Sequence, residues 1–150
     1  HDRLWPSSYS AYPGAVGISR KIEAYGQRDE ATMIALREAL AFQTKIGRAD
    51  IEKRSRALAQ QLMAGISKID GFKIWTSPMP ERSVAVVSFQ PGTLDSRKLL
   101  AALYENDKIA VTSRGGTDRS GLRVSPHFYN TPDEVDRLVG ALTRYQKTGV

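Results

Sequence analysis

An α+β fold is what this sequence predicts: a small, mostly antiparallel sheet with helices packed on one face. Three observations point there. Helical periodicities and strand-like runs follow the order helix, helix, strand, strand, helix, strand, strand, helix, so the strands are grouped rather than strictly interleaved. The 150 residues suit one compact domain. Hydrophobic residues make up 41% and charged residues 25%, which is enough apolar material for a core and close to the soluble globular average.

Residues 1–28 carry no helical period. Ser, Tyr, Pro and Gly crowd between Trp5 and Gly14, a turn-rich composition, yet Leu4, Trp5, Tyr9, Tyr12 and Ile18 are large and apolar. Such residues in an irregular stretch are expected to pack against a surface. The first helix is expected over 29–46. Asp29 is a suitable N-cap, Glu30 suits the positive end of the dipole, and Gly47 can stop it. Met33, Ile34, Leu36, Leu40 and Phe42, with Ala35 and Ala39, give it a broad apolar face. A second helix is expected over 49–69, ended by Gly71. Ile51, Leu58, Leu62, Ile66 and Ile69 recur along one face, while Lys53, Arg54, Arg56, Gln60 and Gln61 fill the other.

Phe72–Thr76 alternates as a strand does and is broken by Ser77-Pro78-Met79-Pro80. Val84–Phe89 is a continuous apolar run, the pattern of a central strand. Asp95 caps a short helix over 96–106, buried through Leu99, Leu100 and Leu103. Lys108–Ser113 reads as a strand, Arg114–Gly121 as a polar glycine-rich loop, and Leu122–Ser125 as another strand. Thr131-Pro132-Asp133-Glu134 is a capping box with Pro at the first helical position, and Val135, Leu138, Val139, Leu142 and Tyr145 form the face of the helix that follows.

Composition removes several function classes. There is no cysteine, so disulfides, thiolate metal sites and a cysteine nucleophile from this chain are out. Two histidines, His1 and His127, do not make a histidine-rich metal centre. No apolar run approaches the length that spans a bilayer, so no membrane partner is expected. The net charge is +6, from 22 Lys and Arg against 16 Asp and Glu. The basic residues alternate with acids, as in Glu52-Lys53-Arg54, which favours a solvated surface over a nucleic-acid face. The chain opens on His1 rather than Met, so a processed chain or a piece of a longer one is expected.

Motifs for P-loops, nucleophile elbows and zinc proteases are missing. Gly115-Gly116 is able to wrap an anion through backbone N–H groups, although a plain hairpin connection accounts for it as well. His127, beside Pro126 and Phe128, reads as structural. Arg123 stands out. It lies mid-strand between Leu122 and Val124, so its side chain leaves the face that theirs occupy. A guanidinium on a concave face calls for a carboxylate or phosphate, whereas one on an edge strand simply meets solvent; the residues alone leave both readings open.

From Gly121 to Leu138, through Leu122-Arg123-Val124-Ser125 and Tyr129-Asn130-Thr131, the chain resembles the C-terminal end of class V aminotransferase-like enzymes, which are fold-type I and depend on pyridoxal phosphate. The branch it most resembles holds isopenicillin N epimerases, selenocysteine lyases and cysteine desulfurases. Tyr25-Gly26-Gln27-Arg28-Asp29, with Ala39–Phe42 and Ile46-Gly47, is similar to the family's Gly-Thr-Arg-Asp stretch and its following helix, and Leu4-Trp5-Pro6 to the segment after the cofactor lysine.

The resemblance implies a bridging helix and C-terminal small domain over 29–150, with residues 1–28 belonging to or packing on a large domain. It implies that Arg123 binds the α-carboxylate of an amino-acid substrate. Gln27 stands where relatives carry a phosphate-binding threonine, and Arg28 is the neighbouring candidate for a cofactor contact. The loop Ser113–Ser120 matches the region of the desulfurases' catalytic cysteine, which this chain lacks, so a lyase, epimerase or transaminase is expected over a persulfide-forming desulfurase. Arg114 and Arg119 in that loop are read as solvated. None of the lysines lies in a segment like the Schiff-base motif, so the chain alone is expected to be inactive, its large domain coming from the same or a separate polypeptide. A homodimer is implied, and a cytoplasmic setting is expected. The rival class is a non-catalytic interaction module derived from such a domain.

Overall fold

The computed structural model describes residues 29–116 and 118–150. Contacts divide the chain into two units, residues 1–45 and 46–150. In the first, the described part is helix α1, Glu30–Ile46. Asp29 caps it, accepting from the Thr32 backbone N–H at 3.2 Å and from the Thr32 hydroxyl. The apolar face read from the sequence is present but not covered among the described residues: Met33, Leu36 and Phe42 are all more than half exposed.

In the second unit, helix α2 (Arg48–Ile66) starts after Gly47, whose φ of 99° suits glycine. It ends at Ile66, three residues short of expectation. Ser67 to Gly71 follow as turns, and Ile69 is nonetheless buried. Strand β1 is only Lys73–Ile74, because pairing with the next strand ends where Trp75 and Thr76 both turn their N–H groups to the Ser88 carbonyl. Strand β2, Val87–Gln90, begins three residues later than the apolar run: Val84 is 60% exposed, and Val87, Ser88 and Phe89 are the buried part. Helix α3, Ser96–Glu105, is capped by Asp95, which accepts from the N–H groups of Arg97 and Lys98 at 2.9 Å.

Strand β3 is Thr112–Arg114, shifted toward the polar residues from the expected 108–113. Lys108 adopts φ 57°, which interrupts an extended run. Strand β4 is Gly121–Val124, and helix α4, Pro132–Thr148, opens on the complete capping box. The sheet order is β1-β2-β4-β3, antiparallel throughout. This bears out the α+β expectation.

The core lies between one face of this sheet and the helices. Leu58, Leu62 and Ile66 of α2, Leu99 and Leu103 of α3, and Leu138 and Leu142 of α4 meet Val87, Phe89 and Leu122 of the sheet, all buried. Helices α2 and α4 touch where Gly65 faces Val139; a Cβ on Gly65 would stand 2.5 Å from a Val139 methyl. Phe72 stacks on Phe89 at 5.8 Å, extending the core beneath β1.

Candidate functional site

Alternation along the strands leaves the other face of the sheet to the remaining side chains. Register places Ser88 opposite Arg123, and Arg123 opposite Thr112. Two residues further along the strands, on the same face, Lys73 is opposite Gln90 and Arg114 is opposite Gly121. The sheet therefore carries its apolar residues Phe89 and Leu122 toward the helices and a polar, cationic set on the reverse. Arg123 sits on an inner strand of that reverse face, not at an edge. It is exposed, and among the described residues it has neither an ion pair nor a hydrogen-bond acceptor.

The neighbours of Arg123 are held. Trp75 lies across the reverse face, its indole N–H donating to the Ser120 carbonyl at 3.2 Å, and the Lys73 ammonium sits 4.5 Å from the ring centroid. Ser88, small and buried, lies opposite Arg123. The Ser88 notch and Arg123 thus stand in one row, with the Trp75 indole anchored at the Ser120 end of β4. That arrangement suits a small acid whose carboxylate meets the guanidinium fork and whose remainder lies against an indole.

The segment after β4 is rigid for reasons visible in its bonds. Asn130 accepts from the His127 N–H at 2.8 Å and donates to Glu134 at 3.0 Å, while its carbonyl takes a bond from Arg54 at 3.0 Å. Glu134 accepts from the Thr131 N–H at 2.9 Å, and Thr131 accepts from the Glu134 N–H at 3.2 Å. Bonds from the Thr131 backbone and the Asn130 amide hold the Glu134 carboxyl below its ordinary pKa. Arg54 and Arg56, expected on a solvated helix face, in fact reach out to connecting segments, Arg56 donating to the carbonyls of Pro80 (2.7 Å) and Ser83, while Gln61 donates to Asp136 of α4 at 2.7 Å. His127 stacks between Phe128 and Tyr129, with centroids 4.4 and 4.3 Å away, in keeping with a structural role.

Gln27 and Arg28 lie outside the described residues. Arg119 is exposed, as expected of a solvated loop. Arg114 is not in the loop: it belongs to β3 and is half-buried, because register with Gly121 extends the strand into the polar segment. Sequence reasoning also missed a cleft of about 360 Å³ on the helix side, lined by Leu62, Ile109, Val111, Val124, Glu134 and Arg137. Val124 faces it while its neighbour Arg123 faces the reverse, so the two features are separate. Among the described residues no cluster of metal ligands occurs, and no helix is long and apolar enough to cross a membrane.

The fold is that of part of the cysteine desulfurases. A solved structure of the enzyme from Thermococcus onnurineus NA1 superimposes with a TM-score of 0.76 at 22% identity, covering 89% of this chain and 35% of that one. One from Escherichia coli gives 0.75 at 25% identity, over 90% of this chain and 35% of that one. The chain belongs to the aminotransferase class-V family, whose profile matches residues 14–138. It is 35% identical over 136 residues to an isopenicillin N epimerase of Amycolatopsis lactamdurans, covering 89% of this chain and 34% of the relative. With a probable cysteine desulfurase of Xylella fastidiosa it shares 32% over 137 residues, covering 85% and 32%. It thus spans about a third of the length of these relatives. Class V aminotransferases and cysteine desulfurases use pyridoxal phosphate.

Proposed function

We propose that this chain is the C-terminal small domain of a pyridoxal-phosphate enzyme acting on an amino acid, as a C–S lyase, epimerase or transaminase, and that Arg123 holds the substrate's α-carboxylate. The observation that carries the reading is the position of Arg123: mid-strand, on the sheet face turned away from α2, α3 and α4, with no acid beside it among the described residues. A cation left without a partner on a built face is poised for an anion. The chain offers no cysteine nucleophile, which favours chemistry other than persulfide formation.

The described residues fit the substrate end of such a site rather than the cofactor itself. Lys73, the lysine on the Arg123 face, has its ammonium engaged over the Trp75 ring. The large domain would therefore supply the amine that anchors the cofactor, with Gln27 and Arg28 as this chain's candidates for its phosphate. When bound, the cofactor supplies an electron sink for charge developing at the substrate's Cα. Arg123 then orients: two parallel N–H···O bonds fix the carboxylate plane and, through it, which Cα bond is presented for cleavage.

In the complete, cofactor-loaded enzyme, Arg123→Ala should raise KM for the amino acid about 10- to 100-fold, the loss of a charge-assisted bond of about 1.5–3 kcal/mol. Arg123→Lys should recover only part of it, since an ammonium lacks the fork. An unchanged kcat/KM in Arg123→Ala removes Arg123 from the site. A homodimer holding the large domain is part of the proposal, and native mass spectrometry reads it directly.

A further inference from the structure

We propose that Arg114 is a second anion-binding residue on the Arg123 face, placed to take the side-chain acid of a dicarboxylic substrate; this rests on the reading of Arg123 as the α-carboxylate site. Register makes the two arginines diagonal neighbours on adjacent strands, since Arg123 faces Thr112 and Arg114 faces Gly121. Diagonal positions on one face lie about 7–8 Å apart, within reach of long side chains. An anion that reached both guanidinium groups would be attracted by both.

Arg114 is also incompletely satisfied. It is half-buried, and its Nε is buried with no hydrogen-bond acceptor among the described residues. A buried donor without an acceptor is rare in folded proteins and calls for a partner. Space for that partner exists. A Cβ built on Gly115 or Gly116, the two residues that follow Arg114, would meet nothing within 4 Å, so the approach to this end of β3 is open. The ion pairs of the described residues join Arg37 to Glu38, Arg56 to Glu52 and Arg144 to Asp107, leaving both Arg114 and Arg123 without an acid. Two carboxylates on a short methylene chain suit two guanidinium forks on one face, whereas a neutral amino acid would leave Arg114 without an acid.

The test uses the full chain labelled with ¹⁵N-arginine, reading the Nε–H signals during titration with glutarate and, separately, with acetate at matched ionic strength. The signals are assigned from the spectra of Arg114→Lys and Arg123→Lys. Glutarate should move both the Arg114 and Arg123 signals with one isotherm, at least about ten-fold tighter than acetate, which should move Arg123 alone. Arg114→Gln should bring glutarate down to the level of acetate; its backbone amide spectrum checks the fold, and the wild-type titration decides the matter without it. If glutarate binds no tighter than acetate, or leaves Arg114 unmoved, the inference is overturned while acetate on Arg123 upholds the α-carboxylate site. If neither anion moves Arg123, that reading falls as well, and the second site with it.

Discussion

Replacing Gly121 by Ala isolates the contact on which the site strand depends. Gly121 opens β4 with φ 144°, a backbone region that L side chains rarely adopt. A Cβ there would stand 2.1 Å from the Phe89 carbonyl oxygen and 2.9 Å from its carbon. An ordinary C···O contact needs about 3.3 Å, so the strands must separate by more than an ångström or the residue must change conformation. Neither is easy, because the obstacle is backbone in the centre of the sheet. The unfavourable φ costs about 1–3 kcal/mol, and forcing an extra carbon into packed structure costs about 1–3 kcal/mol more. A loss of at least about 2 kcal/mol lowers Tm by about 8 °C or more in a domain of this size. Urea unfolding followed by circular dichroism measures it, with Gly115→Ala as control: a Cβ at Gly115 meets nothing, and that variant should stay within about 0.5 kcal/mol of the parent. A Gly121→Ala protein as stable as the control would refute the close approach of β2 and β4.

Gly65→Ala should destabilise by about 1 kcal/mol despite the better helix propensity of alanine. The added carbon meets both methyls of Val139, whose χ1 is stiff in a helix, and Gly65→Ala/Val139→Ala should therefore be less destabilised than the sum of the single changes, as a double-mutant cycle in urea would read. The domain should also weaken in acid. Burial raises the pKa of Asp107, but hydrogen bonds from Arg144 (2.6 Å) and Tyr145 (2.8 Å) outweigh that and leave it lowered; bonds from the Lys98 and Arg97 backbones lower Asp95, and Glu134 is lowered as described. Carboxyls with depressed folded-state values stabilise above their unfolded pKa, near 4, and lose that contribution as pH falls through the folded values. The urea midpoint should thus drop between pH 5 and pH 3, and Asp107→Asn should flatten part of the slope; a constant midpoint would contradict the pKa directions.

The elements most legible in the sequence were those written locally. Asp95, Asp29 and the Thr131–Glu134 box mark helix starts by chemistry confined to four residues, and each cap is made as expected. Strand ends were less legible, since they are set by partners distant in sequence. The apolar Ile109–Val111 looked like a strand and instead lines the helix-side cleft, whereas polar Thr112–Arg114 pairs because β4 lies beside it. For the same reason Arg114 was read as a loop residue: only register reveals it. The suspicion about Arg123 followed from strand alternation alone, but its place on an inner strand required the sheet order. Gln27 and Arg28 came from resemblance and lie outside the described residues.

The sheet order has a kinetic consequence. Strand β4 meets β3 through a short connection, a pairing that forms quickly, but its other neighbour β2 lies on the far side of helix α3 in the chain. Closing that longer loop costs entropy before any contact rewards it. Helix α4 can wind on its own cap, and the β3–β4 hairpin can zip, while Ser88 is still elsewhere. The row containing Arg123 is then completed only when the chain has travelled back across itself. The row that holds Arg123 is thus expected to assemble late in folding, with helix content recovering ahead of it in a stopped-flow refolding experiment.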